Sequence, residues 1–314
     1  MSAAGEGLTE PLHNEIESLI LDSIEPLIHS QNQQIPSTGV PALTRLLPEW
    51  YNSEKQSGGY CMRELILQKL EEIERTENIT VLHAVESGSR AWGFPSPDSD
   101  FDVRFLYVRK KEDYLKLEKT RDVIELPIND LLDINGWDLN KTLQLLHGSN
   151  PTLYEWMASP IVYRRTDFPE LSKPVFDRYF SPRKTLHHYL STANANYRDH
   201  LKRDMVRAKK YFYVLRPLLA CQWVLENRTN PPMLFSELME RYLDESLKPV
   251  VTRLLDLKMN SPEIKEIPRI DELNRYLDER IAAMPGIIAS LPEEKPLDWE
   301  PLNRLFLDIL DRNE

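Results

Sequence analysis

A Gly-Ser pair followed by two closely spaced aspartates is the feature that most restricts how this chain can fold. The pair occupies 88–89, and an Asp-x-Asp triplet at 100–102 begins eleven residues after the serine. The run before the pair, 81–85, is mainly apolar with β-branched residues, and the run 101–108 alternates apolar and polar side chains. Both runs are therefore predicted to be β-strands, joined by a glycine-led turn.

The Asp-x-Asp triplet predicts a cation site. Side chains alternate between the two faces of a strand, so Asp100, Asp102 and Arg104 are expected on one face. Two carboxylates this close raise each other's pKa, and a hard divalent cation with oxygen ligands removes that repulsion. Arg104 is expected to support the two acids rather than to contact substrate.

The Gly-Ser pair predicts a phosphate-binding turn. Gly88 has no side chain to block an anion from the backbone N–H groups of a short helix, and Ser89 adds a hydroxyl donor. Arg90 either contacts a phosphate through two hydrogen bonds or pairs with Asp98 or Asp100. A phosphate site beside paired acids is typical of metal-assisted nucleotidyl transfer.

Four blocks of sequence resemble one group of enzymes. The blocks are GSRAWGFPSPDSDFDVRFLY (88–107), DINGWDLNKTLQLL (133–146), NPTLYEWMASPIVY (150–163) and YFYVLRPLLA (211–220). They resemble the polymerase-beta nucleotidyltransferase superfamily and, within it, the YcgL-like predicted nucleotidyltransferases associated with RNA-repair gene neighbourhoods. The resemblance implies transfer of a nucleoside monophosphate from a nucleoside triphosphate (NTP), with release of pyrophosphate. It also implies two Mg²⁺ or Mn²⁺ ions, held by Asp100, Asp102 and a third carboxylate.

That third carboxylate is either Asp133 or Asp138. Asp133 lies among leucine and isoleucine residues that are consistent with a strand end, whereas Asp138 begins a helical pattern that Gly148 ends. An acid in the first turn of a helix also complements the helix dipole without any catalytic role. Asp133 is therefore slightly preferred as catalytic residue and metal ligand, with Asp138 as the alternative. Lys141, about one turn after Asp138, is a candidate contact for the triphosphate.

The negative net charge of the chain argues against binding of nucleic acid over the whole protein surface. The formal net charge is −11, and proteins that bind a phosphate backbone usually present a basic surface. The segment 198–216 differs, because it combines basic and aromatic residues suited to phosphates and stacked bases. The candidate nucleic-acid contacts are Arg198, Lys202, Lys209, Lys210 and Arg216. All except Lys210 follow helical spacing and are expected to form one stripe.

Composition favours a cytoplasmic protein without a membrane segment. Of 314 residues, 41% are hydrophobic and 28% are charged, and no apolar run reaches the length of a membrane span. The first basic residue is Arg45, so no signal peptide is expected. The two cysteines, Cys61 and Cys221, lack metal-ligand spacing, which favours a reducing compartment.

Periodicity predicts an α+β protein in three parts. Residues 1–41 contain an amphipathic helix at 11–28 and a linker, and this helix docks either on its own chain or on a second subunit of a homo-oligomer. Residues 42–165 are expected to form a polymerase-beta-like nucleotidyltransferase domain with a small mixed sheet, and residues 166–314 an all-helical domain. Within the latter, helices are predicted at 182–207, 209–227, 234–257, 270–283 and 301–312.

Three functions remain compatible with the sequence. The family resemblance and the basic segment favour transfer to an RNA 3′ end, such as that of a tRNA. The low overall basicity favours a protein hydroxyl as the acceptor instead, that is, protein nucleotidylylation (AMPylation). The third possibility is a catalytically silent module that senses nucleotide or RNA. The intact pair of Asp100 and Asp102 argues against this third possibility, because binding alone does not require both acids.

Overall fold

The computed structural model describes residues 62–127, 131–260, 266–294 and 297–314. These residues belong to one compact unit. The predicted amphipathic helix at 11–28 and the linker after it lie outside the described residues and stay predictions. Of the helices in the described ranges, none is both long enough and apolar enough to cross a membrane.

Residues 79–165 contain a five-stranded mixed sheet. Its strands are β1 (Ile79–Glu86), β2 (Phe101–Arg109), β3 (Val123–Glu125), β4 (Leu132–Asp138) and β5 (Val162–Arg165), in the spatial order β3-β4-β2-β1-β5. Strands β2 and β4 are parallel, and the other neighbouring pairs are antiparallel. The two strands predicted around the Gly-Ser step are confirmed as β1 and β2, which pair directly with each other.

Helices make up most of the remaining described chain. Up to β5 they are α1 (Met62–Glu77), α2 (Gly88–Ala91), α3 (Lys111–Tyr114), α4 (Leu139–His147) and α5 (Pro151–Met157). After β5 they are α6 (Phe168–Tyr179), α7 (Pro182–His200), α8 (Ala208–Asn227), α9 (Phe235–Tyr242), α10 (Lys248–Asn260), α11 (Asp271–Ala289) and α12 (Glu300–Arg312), with a 3₁₀ turn at Glu245–Leu247. Two short strands, β6 (Met205–Val206) and β7 (Ile267–Pro268), pair with each other. The predicted α+β class, a mixed sheet followed by a helical part, is confirmed.

Both faces of the sheet are buried, and strand alternation decides which side chain lies on which face. Along β2, Phe105 and Tyr107 pack with α1 in one hydrophobic cluster. Leu106 and Val108 belong to a second cluster with α4, α5, α6 and α12. Asp102 lies an even number of residues from Leu106 and therefore faces the second side of the sheet.

Two helix starts predicted from the sequence are confirmed. Ser181 caps α7 by accepting a hydrogen bond from the Lys184 N–H, and Pro182 occupies the first helical position. Asp138 caps α4 by accepting a hydrogen bond from the Asn140 N–H at 2.8 Å. These caps fix where each helix leaves the preceding segment.

Two predicted helices are shorter than expected. Helix α7 ends at His200 rather than near Arg207, because the chain leaves the helix and forms β6, which pairs with β7. The predicted helix at 234–257 is divided into α9, the 3₁₀ turn and α10. Pro249 lies in the first turn of α10, where the missing N–H of a proline costs no helical hydrogen bond.

Gly136 in β4 leaves room for the ring of Phe105 in β2. A Cβ at position 136 would lie 2.2 Å from two ring atoms, so we expect Gly136→Ala to lower the free energy of unfolding by about 1–3 kcal/mol, as overpacking does. Gly286→Ala is the matched control. Beyond its own helix no atom lies within 4 Å of the new Cβ, and alanine favours a helix over glycine by about 1 kcal/mol. Urea denaturation measures both changes. Unchanged stability in Gly136→Ala would contradict the tight packing.

Candidate active site

A cleft of about 790 Å³ opens on the second face of the sheet, a volume in the range of small-molecule sites. Strands and the α2 turn form one side of it, which we call the sheet side: Ser87, Gly88, Trp92, Asp102, Arg104, Glu125, Leu126, Asp133, Asn135 and Trp137. Helices α5, α7 and α8 form the helix side: Thr152, Glu155, Trp156, His188, Tyr189, Thr192, Tyr213, Arg216 and Pro217. Each of these three helices contributes residues about one turn apart, which is why they share one face.

Two aspartates lie next to each other on the sheet side. Asp102 in β2 and Asp133 in β4 are directly opposite in the parallel register, and neighbouring strands are about 4.8 Å apart. Arg104 bridges the two carboxylates, with its Nη2 2.9 Å from Asp102 Oδ1 and 2.7 Å from Asp133 Oδ2. Its Nη1 also donates to the Asp133 carbonyl oxygen at 2.8 Å. Arg104 thus supports the acids, as the sequence predicts.

Asp100 lies at the edge of this pair. It precedes β2, is exposed, and is not among the residues that line the cleft. Burial raises the pKa of Asp102, the Arg104 charge opposes that rise, and the charges of Asp100 and Asp133 add to it. Within the described ranges, no group of three or more metal-ligating side chains is assembled. The site therefore contains a pair of acids, Asp102 and Asp133, and a third acid, Asp100, whose charge helps to raise the pKa of Asp102.

Gly88 lets the α2 turn approach the Asp102 carboxylate. Its φ is +58°, and a Cβ at this position would lie 2.0 Å from Asp102 Oδ2. The Ser87 N–H donates to the Asp102 carbonyl at 2.8 Å and ties the turn to β2. Ser89 does not line the cleft, and its hydroxyl donates to the Ser99 hydroxyl at 3.2 Å. The glycine of the predicted pair is at the site, whereas the serine side chain contacts the following loop.

Arg90 holds the loop that carries Asp100. Its Nε donates to the Asp100 carbonyl at 2.9 Å, and its Nη2 donates to the Ser99 carbonyl. Its guanidinium lies over the Phe101 ring, 3.7 Å from the centroid. Arg90 is not among the residues that line the cleft. The geometry therefore supports a role in positioning the loop and not the predicted contact with a phosphate.

A buried glutamate that the sequence analysis did not identify supports Asp102 through its backbone. Glu86 ends β1 with no solvent exposure. Its Oε1 accepts the Asp102 N–H at 2.8 Å, and its Oε2 accepts the Tyr163 hydroxyl. Burial raises the pKa of Glu86 to about 7. One signal in the sequence could have identified Glu86, because it directly follows the apolar run 81–85. A glutamate is seldom buried unless a partner is present.

Asp138 lies away from the acid pair. It is the last residue of β4, five positions beyond Asp133, and it is buried. Besides capping α4 through the Asn140 N–H, it accepts the Tyr114 hydroxyl at 3.0 Å. Burial raises the pKa of Asp138 to about 6. The structure brings Asp133, and not Asp138, beside Asp102, which removes the geometric basis for Asp138 as the third acid.

Lys141 belongs to the same region as Asp138. Its Nζ lies 3.4 Å from Asp122 Oδ2, and the Asp122 carbonyl accepts the Asp138 N–H at 3.0 Å. None of these three residues lines the cleft. The predicted contact between Lys141 and a triphosphate is therefore not supported by the position of the lysine.

The predicted basic stripe is interrupted. Residues 201–207 separate α7 from α8, so Arg198 and Arg216 lie on different helices. Arg198 pairs with its neighbour Asp199 at 2.8 Å. The other three candidates lie near the junction: Lys202, which is exposed, and Lys209 and Lys210, which are partly buried. The prediction of a single stripe is wrong, because the chain leaves the helix after His200 and the four residues therefore do not continue one helical face.

Arg216 instead forms a buried ion pair on the helix side of the cleft. Its side chain is 3% exposed and that of Glu155 is 13% exposed, with 2.7 Å between Nη1 and Oε1. The Tyr189 hydroxyl donates to the same Oε1 at 2.9 Å. Arg216 also lies over the Trp92 ring, 4.8 Å from the centroid. From the sequence, Glu155 is expected only to cap or pack a helix. Its pairing with Arg216 joins segments that are far apart in the chain, and no pattern of neighbouring residues in the sequence indicates such a contact.

Comparison with known proteins identifies the family. The model of the RNA repair pathway DNA polymerase beta family (RlaP) matches residues 62–308. The chain belongs to this family. The RlaP match includes every residue that lines the cleft, and it confirms the resemblance drawn from the four sequence blocks.

Two individual proteins are similar to this RlaP-family chain. The "Uncharacterized protein YcgL" of Bacillus subtilis (strain 168) is 45% identical over 253 residues, which cover 80% of this chain and 97% of that protein. A nucleotidyltransferase-like protein from Exiguobacterium sibiricum 255-15, solved at 1.90 Å resolution, aligns with 13% identity and a TM-score of 0.27. That alignment covers 73% of this chain and 75% of the solved chain.

Asp138 is expected to make the stability of this RlaP-family chain depend on pH. Its pKa rises from 3.8 to about 6 on folding, so between these values the folded state binds a proton that the unfolded state has released. The wild type is therefore expected to lose stability relative to Asp138→Asn as the pH rises from 3.8 to 6, by on the order of 3 kcal/mol. Urea unfolding at about pH 4 and about pH 7 measures this difference. Other groups titrate equally in both proteins, so a difference that does not change with pH would contradict the assignment.

Proposed function

We propose that this chain transfers a nucleoside monophosphate from an NTP to an acceptor hydroxyl and releases pyrophosphate. The observation that carries the proposal is the Asp102–Asp133 pair on the sheet side of a nucleotide-sized cleft, in a chain of the RlaP family. In this reaction the acceptor oxygen bonds to the α-phosphorus, and the bond from that phosphorus to the bridging oxygen of pyrophosphate breaks. The hydroxyl proton passes to a carboxylate of the cleft or to water.

The transfer is proposed to use two divalent cations, Mg²⁺ or Mn²⁺, with Asp100, Asp102 and Asp133 as ligands. Carboxylate oxygens suit such hard cations. Burial raises the pKa of Asp102, and the charges of Asp100 and Asp133 add to that rise, so a cation beside these carboxylates would stabilise the ionised form. When bound, such ions neutralise phosphate charge and lower the pKa of an attacking hydroxyl.

Residues of the chain itself position the reacting groups. Arg104 holds the carboxylates of Asp102 and Asp133 in one orientation, and Glu86 holds the Asp102 N–H. We propose that a phosphate binds beside Gly88, because Gly88 lines the cleft and its lack of a side chain lets the α2 turn lie against the Asp102 carboxylate. Fixed positions and preorganised charges supply most of the catalysis in reactions of this kind.

We propose the 3′ end of an RNA as the acceptor. The description of the family refers to an RNA repair pathway. The connection between α7 and α8 exposes Lys202, Arg203 and Arg207. Lys210 lies over the ring of Tyr213, 5.1 Å from the centroid, and Tyr213 lines the cleft. Basic residues thus lead from the surface to the cleft, which supports an acceptor with a phosphate backbone.

A protein hydroxyl is the second candidate acceptor. The net charge of −11 favours it, because a protein acceptor does not require the basic surface that a phosphate backbone requires. The transfer chemistry is the same for both acceptors. They differ only in the molecule that finally carries the nucleotide.

Labelled nucleotides test the proposal. Each of the four α-labelled NTPs is incubated with the protein, Mg²⁺ or Mn²⁺, cellular RNA and a protein extract. We expect label in RNase-sensitive material, released pyrophosphate, and a loss of about 100-fold or more in rate in Asp102→Asn and Asp133→Asn. Asp138→Asn is the matched control, because asparagine also caps helices and position 138 is outside the cleft.

The remaining outcomes of this experiment discriminate among the alternatives. Label in a protease-sensitive band would identify a protein acceptor. Nucleotide binding without any transfer would identify a silent sensing module. Full activity in Asp102→Asn would overturn the proposed chemistry.

The close approach of Gly88 to Asp102 is expected to matter for the rate of transfer. Gly88 and Gly93 have positive φ values, +58° and +87°, so alanine at either position strains the backbone by about 1–2 kcal/mol. Only at Gly88 does the new Cβ meet the Asp102 carboxylate; at Gly93 the nearest atom is Leu234 Cδ2 at 3.1 Å. We expect Gly88→Ala to slow transfer about 100-fold more than Gly93→Ala. Similar rates in the two variants, measured by pyrophosphate release, would argue against a role for this approach.

A further inference from the structure

The helix side of the cleft contains a carboxylate that the proposed transfer chemistry does not use. Oε1 of Glu155 accepts hydrogen bonds from Arg216 Nη1 at 2.7 Å and from the Tyr189 hydroxyl at 2.9 Å. Oε2 has no hydrogen bond to any residue in the described part of the chain. Two bonds to one oxygen hold the carboxylate in place, and Glu155, whose side chain is 13% exposed, lines the cleft.

Four aromatic side chains line the same cleft as this carboxylate. Trp92 and Tyr213 are in edge contact, with centroids 5.5 Å apart, and the centroids of Trp137 and Trp156 are 3.9 Å apart. All four residues line the same cleft. A wall of aromatic rings suits a flat ligand such as a nucleobase, whose faces stack on such side chains.

The chemistry of Glu155 restricts which ligand fits. An ionised carboxylate only accepts hydrogen bonds, and a buried acceptor that is left without a donor is unfavourable. The Arg216–Glu155 pair is weak evidence for stability, since buried ion pairs are often no better than apolar residues. A role in binding a ligand that donates an N–H to Oε2 would explain why this ion pair is present, which its contribution to packing does not.

We propose that Glu155 is a specificity-determining residue, and that its free oxygen accepts a hydrogen bond from the exocyclic amino group of the incoming nucleobase. The cleft would then select adenine, cytosine or guanine over uracil, because the O4 oxygen of uracil, in place of the amino group of cytosine, would face the carboxylate oxygen. The identification of the ligand as a nucleotide rests on the proposed function. The selection itself rests on the geometry of Glu155.

Binding of nucleotides that cannot react tests this selection without an acceptor. The probes are α,β-methylene triphosphates of adenosine, guanosine, cytidine and uridine, together with those of purine riboside and inosine. Purine riboside lacks only the amino group of adenosine, and inosine lacks only that of guanosine. Calorimetry with Mg²⁺ and wild-type protein is expected to show about tenfold or tighter binding for an amino-bearing base than for its partner without the amino group, and weak binding of uridine.

Glu155→Gln is the informative variant. Glutamine keeps an oxygen for Arg216 and Tyr189 and presents an N–H₂ donor in place of Oε2. The preference is therefore expected to shift towards uridine, whose O4 accepts a hydrogen bond, and the preference for guanosine over inosine is expected to be lost, because inosine has only a C–H in place of the amino group. A merely structural role for Glu155 would weaken all nucleotides equally. Glu125→Gln is the matched control, because Glu125 is a carboxylate on the opposite, sheet side of the cleft. The base preference of the Glu125→Gln protein is expected to equal that of the wild type.

The outcomes separate this proposal from the proposed function. Equal binding of each base and its partner lacking the amino group would overturn the role of Glu155, and the labelling experiment would still stand. Absence of binding by every probe would overturn both proposals. The wild-type series decides by itself if Glu155→Gln does not fold.

Discussion

Parallel pairing of β2 with β4 is the constraint on which the rest of the site depends. It places Asp102 directly opposite Asp133, and like charges in this position destabilise a sheet. Arg104 compensates for both charges, because its position two residues along β2 puts it on the same face as Asp102. One arginine therefore stabilises the strand pairing and also sets the direction of both carboxylates. Its loss would affect the sheet and the site together.

The antiparallel neighbour of β2 restrains the same residue from the other side. Glu86 at the end of β1 accepts the Asp102 N–H, and Gly88 just beyond it contacts the Asp102 carboxylate. Burial of Glu86 raises its pKa to about 7, so ionising this group in place is unfavourable. Residues that lower stability in this way are typically kept where they position a functional group. Both neighbours of β2 thus converge on Asp102.

Structural features that depend on a few neighbouring residues could be predicted from the sequence. Contacts between segments far apart in the chain could not. Alternation and the Gly-Ser step predicted β1, β2, the face of Asp102 and the supporting role of Arg104. The choice between Asp133 and Asp138 stayed open, because both are acids near a strand end and only the β2–β4 register distinguishes them. Helical spacing suggested an exposed Arg216, but its pairing with Glu155 on another helix buries it. Similarly, the sequence predicts one helix over 234–257, which the structure divides into α9, a 3₁₀ turn and α10.

The two sides of the cleft differ in chemistry, and in the proposed function this difference would orient the nucleotide. The sheet side presents Asp102 and Asp133, and both are hydrogen-bonded to Arg104. Carboxylates in this position suit divalent cations and the phosphates that such cations bind. The helix side presents aromatic rings and the Glu155–Arg216 pair, which suit a base. Helix α8 carries Arg216 and, near its start, Lys210, which lies over Tyr213. The proposed base site and the proposed RNA path therefore share one helix, so a change in how α8 packs against α7 would alter the choice of nucleotide and the binding of the acceptor together, while the acid pair on β2 and β4 stays in place.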